Sequence, residues 1–316
     1  MKFGWIGFHV EGVSALRSLL EKQFALDAVI TLKPSLAAKR SGTADYHSLC
    51  REFGVPLYEV ANINDEEALE LLRKLALDVV FVIGWSQIVR PEALSLAKVG
   101  MIGAHASLLP RNRGRAPINW ALINGERVTG NSLIWLAPGV DTGDIIDQTE
   151  IHITPYDTCA SLYDRVAESN REMILRTIPQ LLAGERPGRP QEVNGHSTLP
   201  GRRPEDGLVN WSNESTKLYD FVRALTRPYP GAFSWLGGRR WKIWQCALLP
   251  TNHVSGTKPG EVIGPLVSSV DDACGQVVAC GTGAVALLEL ETDEGEIVSG
   301  RQLSEQRWNG QVWTNG

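Results

Sequence analysis

The chain has 316 residues, of which 43% are hydrophobic and 21% are charged, and its formal net charge is −5. This composition is typical of an ordinary soluble globular protein, and the length allows one large α/β domain and a smaller one. The acidic balance argues against broad nucleic-acid binding, which depends on the neutralisation of phosphates by basic residues.

The sequence also argues against membrane, secreted and metal-dependent classes. It contains no apolar run of about 18 residues and no basic leader followed by an apolar stretch. Its cysteines are odd in number and scattered, and they form no CxxC pair, which fits free thiols in a reducing cytoplasm better than disulfides or a zinc site. They are Cys50, Cys159, Cys246, Cys274 and Cys280. We therefore predict a cytoplasmic protein without a metal.

The first third of the chain alternates short apolar runs with helical patterns. The predicted strands are Phe3–Phe8, Leu26–Leu32, Val55–Val60 and Asp78–Gly84, and the predicted helices are Gly12–Lys22, Ala44–Phe53 and Asn64–Leu75. This alternation predicts a parallel sheet with right-handed crossovers, and Asn64 with Glu67 predicts a capping box at the third helix. The first turn, residues 7–12, lacks the G-x-G-x-x-G of a dinucleotide site but could line a ligand cleft. We interpret His9 in this turn as structural.

A further short strand is predicted over Lys98–His105, and it ends in a histidine. Because alternate side chains of a strand share one face, positions 101, 103 and 105 point the same way. Open α/β sheets bind ligands at the carboxyl ends of their strands. His105 is therefore a candidate catalytic residue.

A basic loop and a carboxylate follow the histidine. The loop at 107–117 carries Arg111, Arg113 and Arg115, whose guanidinium groups suit phosphate or carboxylate ligands. Asp141 stands between two glycines, the composition of a tight turn, and its carboxylate could orient the imidazole of His105 and stabilise its protonated form. Each feature alone is more often structural, but their combination in this order favours an acyl-transfer site.

The rest of the chain changes from α/β to β character. A hairpin is predicted from strands Thr129–Leu136 and Asp144–Ile153, followed by a helix over Thr158–Leu182. The later predicted strands are Ala232–Leu236, Arg240–Leu248, Gly260–Ile263, Gln276–Ala279 and Val285–Glu291. These patterns predict a catalytic domain at 1–190, a linker at 191–204 and a small β-barrel domain at 205–316.

The motif His105-Ala-Ser-Leu-Leu-Pro-Arg-Asn-Arg-Gly114, with Asp141-Thr-Gly143 after it, resembles the pattern of the folate-dependent formyltransferase family. The likeness continues through Arg113–Glu126, Gly201–Trp211 and Pro228–Trp235, so it covers nearly the whole chain. It is greatest to sugar N-formyltransferases, including the formyltransferase part of the bifunctional UDP-4-amino-4-deoxy-L-arabinose enzyme. The resemblance implies a Rossmann-like parallel sheet with helices on both faces, and a smaller C-terminal OB-like β-barrel domain.

The resemblance also implies an activity and its residues. The activity would be transfer of a formyl group from N10-formyltetrahydrofolate to the primary amine of an amino sugar linked to UDP or dTDP. His105 and Asp141 would be catalytic. The donor pocket would contain Gln87, Ile88, Val89, Leu136 and Val140. The nucleotide sugar would contact Arg115, Tyr46, Arg202 and Arg203.

Gly103 departs from the family pattern, which has a catalytic Asn at this position. Three explanations are open. Another donor could fill the space, with Gln87, Asn112, Asn131 or a water as candidates. The site could accept a bulkier acyl donor, or catalysis could be lost. We favour a replacement donor, because His105, Asp141 and the arginine loop are all present.

Two rival functions are also considered. One is formylation of methionyl-tRNA, against which the net charge and the locally clustered arginines argue. The other is a hydrolytic or binding-only relative, suggested by Gly103. For the quaternary structure, a homodimer is one option.

Overall fold

The structure, a computed structural model, describes residues 1–192, 198–249 and 257–316. The chain divides into two compact units. Unit 1 comprises Met1–Pro117, Val128–Ile153 and Leu162–Pro200, and unit 2 comprises Ile118–Arg127, Thr154–Ser161 and Gly201–Gly316. Unit 2 thus includes two short segments that the sequence boundaries assign to the first domain. Part of the predicted linker, residues 193–197, lies outside the described residues.

Unit 1 is built on a seven-stranded sheet in the order β3-β2-β1-β4-β5-β6-β7. Its strands are β1 (Phe3–Ile6), β2 (Ala28–Leu32), β3 (Leu57–Val60), β4 (Val79–Val82), β5 (Gly100–His105), β6 (Val128–Trp135) and β7 (Ile145–His152). The first five in this order pair in parallel, and the hairpin β6–β7 adds an antiparallel edge. The predicted Rossmann-like α/β class is confirmed.

Helices cover both faces of this sheet. They are α1 (Val13–Glu21), α2 (Pro34–Ala37), α3 (Tyr46–Phe53), α4 (Glu66–Leu75) and α5 (Pro91–Leu94), while α6 (Pro117–Ile123) and α7 (Cys159–Leu182) have residues in both units. The sheet has a hydrophobic core on each face, and successive residues of β4 contribute to different cores. Phe81 packs with α1, α3 and α7, and Val80 packs with α4. Every residue of β4 is buried, as expected for a central parallel strand.

The strand order reverses at β1, which pairs with β2 on one side and β4 on the other. In open α/β sheets the connections after two such strands leave in opposite directions, which opens a crevice at their carboxyl ends. The turn after β1, the loop after β4 and the end of β5 all lie along this edge, so the fold places the candidate site there.

The predicted capping box at α4 is wrong. The N-cap of α4 is Asp65, with no side-chain hydrogen bond to the helix. The Asn64 amide instead donates to the carbonyl of Ile88 (2.9 Å) and accepts the backbone N–H of Arg90 (2.8 Å). Because a side-chain amide can both donate and accept, Asn64 fastens the loop after β4 instead of starting the helix.

Unit 2 contains an antiparallel sheet in the order β10-β11-β12-β9-β8, with one further strand, β13, beside β12. The strands are β8 (Ala232–Leu236), β9 (Arg239–Leu248), β10 (Val262–Leu266), β11 (Gly275–Ala279), β12 (Ala284–Thr292) and β13 (Ile297–Ser299), with helices α8 (Ser215–Leu225) and α9 (Gly300–Ser304). The sequence predicted these strands except β13, which is only three residues long.

The C-terminal segment connects the two edges of this sheet. Trp235 of β8 pairs with Thr314, and Glu261 beside β10 pairs with Val312. The connection gives the unit its barrel-like closure and covers edges that would otherwise present unpaired backbone groups. Among the described residues, no helix combines the length and apolar content needed to cross a bilayer.

We predict that Ser234→Ala destabilises unit 2. The buried Ser234 hydroxyl accepts the indole N–H of Trp211 (2.9 Å) and donates to the carbonyl of Thr314 (2.7 Å). Loss of both partners should lower the free energy of unfolding by about 1–3 kcal/mol, measured by urea denaturation. Ser212→Ala, at an exposed serine of the same unit, serves as the control. Equal stability of the two variants would contradict this account of the barrel closure.

Candidate functional site

His105 ends β5 and lies between two acceptors. Its Nε2 is 2.8 Å from the backbone carbonyl oxygen of Asn112, and its Nδ1 is 3.5 Å from a carboxylate oxygen of Asp141. A carbonyl oxygen only accepts, so Nε2 carries the proton in this contact. The other ring nitrogen faces a carboxylate oxygen, which also accepts hydrogen bonds. His105 is only 8% exposed, so its contacts with Asn112 and Asp141 are largely shielded from water.

Asp141 connects the histidine to the basic loop. The same carboxylate oxygen that faces His105 accepts the backbone N–H of Gly114 at 2.9 Å. Asp141 itself has a φ of 53°, in the left-handed region that a non-glycine residue seldom adopts. Such a conformation persists only when the surroundings hold it, and it is frequent at functional sites. The sequence predicted that His105 and Asp141 lie together, and in the structure they do.

The surroundings that hold Asp141 include a residue that the sequence analysis missed. The Gln191 amide nitrogen donates to the carbonyls of Asp141 (2.8 Å) and Gly143 (2.7 Å). Its oxygen accepts two N–H groups of Arg113, at 3.2 and 2.6 Å. Gln191 falls in the predicted linker, and no motif marks it, because its partners are about 50 and 78 positions away in the chain.

The same loop is fixed a second time by residue 199. Leu199 donates its N–H to the carbonyl of Arg113 (2.7 Å) and accepts the N–H of Arg115 (3.1 Å). Between them, Gly114 has a φ of 105°, and a Cβ there would lie 2.4 Å from the Leu199 carbonyl oxygen. Only glycine allows this close approach of two backbones.

The space beside Gly103 is occupied by Leu136. A Cβ at position 103 would lie 2.5 Å from Cδ2 of that leucine. Two of the donors proposed as replacements are held elsewhere: the Gln87 amide bonds Ala61 and Ile63, and the Asn131 amide donates to α7. The expectation that either fills the space is therefore wrong. An apolar side chain fills it instead.

The predicted donor pocket lies in two segments, the loop after β4 and the segment after β6. Gln87 donates to the Ala61 carbonyl and accepts the Ile63 N–H, both at 2.9 Å, so its amide anchors the loop. Val89 is buried, whereas Ile88 is 67% and Val140 is 46% exposed. Exposed apolar side chains beside a fixed backbone suit the face of a flat heterocycle, so these two remain candidate donor contacts.

Tyr46 does not face a nucleotide, and this expectation is corrected. It is 1% exposed in the core of unit 1, where its hydroxyl donates to the His9 carbonyl at 3.1 Å. Burial raises the pKa of this phenol. Cβ atoms at Gly7 and Gly12 would come within 3 Å of the same hydroxyl, so Tyr46 packs directly against the backbone of the first turn.

The three arginines expected at the nucleotide differ in their surroundings. Arg115 in unit 1 and Arg203 in unit 2 are exposed. Arg202 in unit 2 stacks its guanidinium on Trp120 at 5.0 Å and donates to the Asp206 carbonyl at 2.7 Å. Burial lowers the pKa of Arg202. Their role toward a nucleotide stays a prediction.

Glu11 in the turn after β1 is a second residue that the sequence analysis did not single out. One of its carboxylate oxygens is 3.7 Å from Nδ1 of His9. Burial raises the pKa of the Glu11 carboxyl, and the charges of His9 and His105 act in the opposite direction. Its backbone carbonyl accepts the amide of Asn170, which in turn accepts the amide of Asn131 on β6. The first turn thus adds a titratable carboxyl near His105.

No metal site accompanies this cluster in the part of the chain that the structure describes. Within residues 1–192, 198–249 and 257–316, no group of three or more His, Cys, Asp or Glu side chains could hold a metal ion. The five cysteines, all within these ranges, are buried free thiols.

Comparison with known families gives two matches. A family described as "Formyl transferase" matches residues 17–178, and one described as "Formyl transferase, C-terminal domain" matches residues 202–307. The first alone covers half of the chain. The matched ranges include His105, Asp141 and the basic loop.

Similar solved structures share the fold at low identity. WlaRD, a sugar 3N-formyl transferase solved with dTDP and 5-N-formyl-THF, is 18% identical with a TM-score of 0.65, over 91% of this chain and 97% of its own. An N-formyltransferase from Helicobacter canadensis, solved with folinic acid and dTDP-3-aminofucose, is 21% identical with a TM-score of 0.65, over 91% and 99%.

A third similar structure belongs to a longer protein. HypX from Aquifex aeolicus in complex with tetrahydrofolic acid is 18% identical with a TM-score of 0.63, over 95% of this chain. The chain spans 46% of the length of that HypX structure. At these identities the likeness shows the fold alone.

We predict that Glu11→Gln stabilises the protein at neutral pH. A carboxyl whose pKa is higher in the folded than in the unfolded state costs stability as pH rises through that interval, because the unfolded state loses its proton first. The glutamine variant lacks this loss. Its free energy of unfolding should exceed that of the wild type at pH 7, and the difference should shrink toward pH 4. Glu185→Gln, at an exposed position, is the charge-matched control. A difference in the free energy of unfolding that does not change with pH would contradict the prediction.

Proposed function

The chain belongs to the formyl transferase family, and from that premise we propose that it transfers a formyl group from N10-formyltetrahydrofolate to the primary amine of a nucleotide-linked amino sugar. The observation that carries the proposal is the convergence of His105 and Asp141 at the carboxyl edge of the sheet. The dTDP and folate ligands of WlaRD and the Helicobacter canadensis enzyme support this choice of substrate class. The predicted compartment is the cytoplasm.

The donor fits the loop after β4 by the chemistry of its surface. The exposed side chains of Ile88 and Val140 offer apolar contact, and Gln87 and Asn64 hold the loop backbone so that its remaining groups keep fixed positions. A pterin needs such a combination of a flat apolar surface and edge hydrogen bonds. Bound there, formyltetrahydrofolate supplies an activated one-carbon carbonyl.

His105 has the surroundings of a hydrogen-bond donor. When an amine attacks a formyl carbon, negative charge develops on the formyl oxygen, and N–H groups aimed at it lower the barrier. The Asn112 carbonyl faces Nε2 and the Asp141 carboxylate faces Nδ1, so a ring N–H reaches the formyl oxygen only by leaving one of these acceptors. We infer that Nε2–H exchanges the Asn112 carbonyl for the formyl oxygen while Asp141 stays at Nδ1, and that proton transfer to the leaving nitrogen is the second role of His105.

Asp141 orients the ring and balances its charge. Because its carboxylate also accepts the Gly114 N–H, the arginine loop and the imidazole share one anchor. Arg115, exposed in the same loop, is a candidate for the nucleotide diphosphate, whose paired oxygens match a guanidinium fork. The acidic net charge favours such a small anionic substrate over a tRNA.

We predict that a screen of UDP- and dTDP-amino sugars with N10-formyltetrahydrofolate, read by mass spectrometry, finds one acceptor that gains a formyl group. His105→Ala should lower its turnover by about 10²–10⁴-fold, the typical contribution of a positioned acid–base group. His152→Ala, at an exposed histidine of β7, is the matched control and should be near normal.

Other outcomes of the screen would contradict the proposal. Formate release without an amine acceptor would indicate a deformylase. Formylation of methionyl-tRNA, with steep salt dependence, would indicate the tRNA reaction. Near-normal turnover by the His105→Ala variant would remove this residue from the mechanism.

We predict a coupling between positions 103 and 136. Gly103→Asn forces its Cβ against Leu136, and such overpacking typically costs about 1–3 kcal/mol. Leu136→Ala should relieve this clash, so the double variant should lose less stability than the sum of the two single variants, measured by urea denaturation. The kcat of the double variant should also exceed that of Leu136→Ala alone, because the amide introduced at position 103 adds a hydrogen-bond donor. Additive stabilities would show that Leu136 does not fill the space beside Gly103.

A further inference from the structure

Gln191 is bonded on both sides of its amide. The oxygen accepts two N–H groups of Arg113, and the nitrogen donates to the carbonyls of Asp141 and Gly143. A side-chain amide offers two acceptor lone pairs and two donors, so all four are in use. The residue is 9% exposed, and a buried amide with every bond made is held firmly in one orientation.

The segment that carries Gln191 is itself anchored before and after this residue. On one side, Arg189 exchanges two backbone hydrogen bonds with Ile145 of β7 (2.8 and 2.9 Å), and the Pro187 carbonyl accepts the indole N–H of Trp135 at 2.6 Å. On the other side, Leu199 pairs with the arginine loop. The segment before Gln191 is therefore fixed by β7, and the chain meets the arginine loop again at Leu199.

The two groups joined by Gln191 are the two parts of the site. One is the turn that holds Asp141 in its left-handed conformation, and the other is the arginine loop. The Asp141 carboxylate meets that loop again through the Gly114 N–H. Without the amide, the Asp141 and Gly143 carbonyls would lose the side chain that fixes them, and the left-handed turn would lose a restraint.

We propose that Gln191 is a positioning residue for the transfer reaction, which fixes the Asp141 turn against the arginine loop so that the carboxylate stays aimed at His105. This inference rests on the proposed function. Gln191 does not touch the imidazole, and it acts by removing freedom from the carboxylate that does. A misplacement of a catalytic group by about 1 Å can cost about 10²-fold in rate.

The test uses Gln191→Glu in the full-length protein. The carboxylate keeps the acceptor for Arg113 but loses both donors to the Asp141 turn. We expect kcat for formyl transfer to fall by about 10²-fold while KM for the nucleotide sugar changes little, because the arginine loop keeps its partner. The pH profile of kcat should also shift, since the carboxylate that faces His105 is less well held.

Gln276→Glu is the matched control. Gln276 is a buried glutamine of unit 2 whose amide donates to the carbonyls of Leu303, Ser304 and Gln306. Its substitution removes the same two N–H donors, but in the barrel-like sheet of unit 2. It should lower stability and leave kcat and the pH profile unchanged. If Gln191→Glu does not fold, Gln191→Asn, which keeps the amide on a shorter side chain, replaces it and is read by kcat and by the exchange of the Gly114 N–H alone.

Amide hydrogen exchange separates this inference from the proposed function. The Gly114 N–H is bonded to the Asp141 carboxylate, so Gln191→Glu should accelerate its exchange, whereas Gln276→Glu should not. If no acceptor is ever formylated, the proposed function fails, and faster exchange at Gly114 would still support the positioning role. Unchanged Gly114 exchange together with an unchanged kcat would overturn it.

Discussion

The confinement of one imidazole between a backbone carbonyl and a carboxylate determines the architecture of the candidate site. An imidazole that is largely withdrawn from water needs hydrogen-bond partners at its nitrogens, because an unpaired buried polar group is costly. Here both acceptors come from residues in the left-handed conformation: Asn112 has a φ of 56° and Asp141 a φ of 53°. The backbone adopts two disfavoured conformations within reach of one histidine, which is the pattern of strain held at a functional site.

The parts of the structure that follow local patterns could be predicted from the sequence. The parallel strands of unit 1 are short apolar runs between amphipathic helices. Because β4 is buried on both faces, all of its residues are apolar, and its sequence is easily recognised as a strand. His105 and Asp141 could be paired because the end of a strand and a tight turn are both typical places for the polar side chains of a site. The resemblance to formyltransferases added the expectation that these two places meet.

The parts that depend on contacts between distant segments could not be predicted. Leu136 meets the space at Gly103 because β5 and β6 pair in one particular register, and nothing in either segment alone reveals it. Gln191 reaches Asp141 from a segment rich in glycine and proline that looks like a connection between domains. The expected contact of Tyr46 with a nucleotide was wrong for another reason. A resemblance transfers a position along the chain, but the direction of the side chain depends on the core around it.

In the proposed reaction, the apolar contact at Gly103 would change which groups stabilise the developing charge. An oxyanion donor is typically worth about 2.7–4 kcal/mol, and position 103 provides no side-chain donor. A hydrogen bond from a charged donor is roughly twice as strong as one between neutral groups, so a protonated His105 can offset part of that difference. The proton is useful only while Asp141 stays beside the ring. A site without the amide at 103 therefore depends more heavily on the carboxylate, and hence on the groups that hold its strained turn in place.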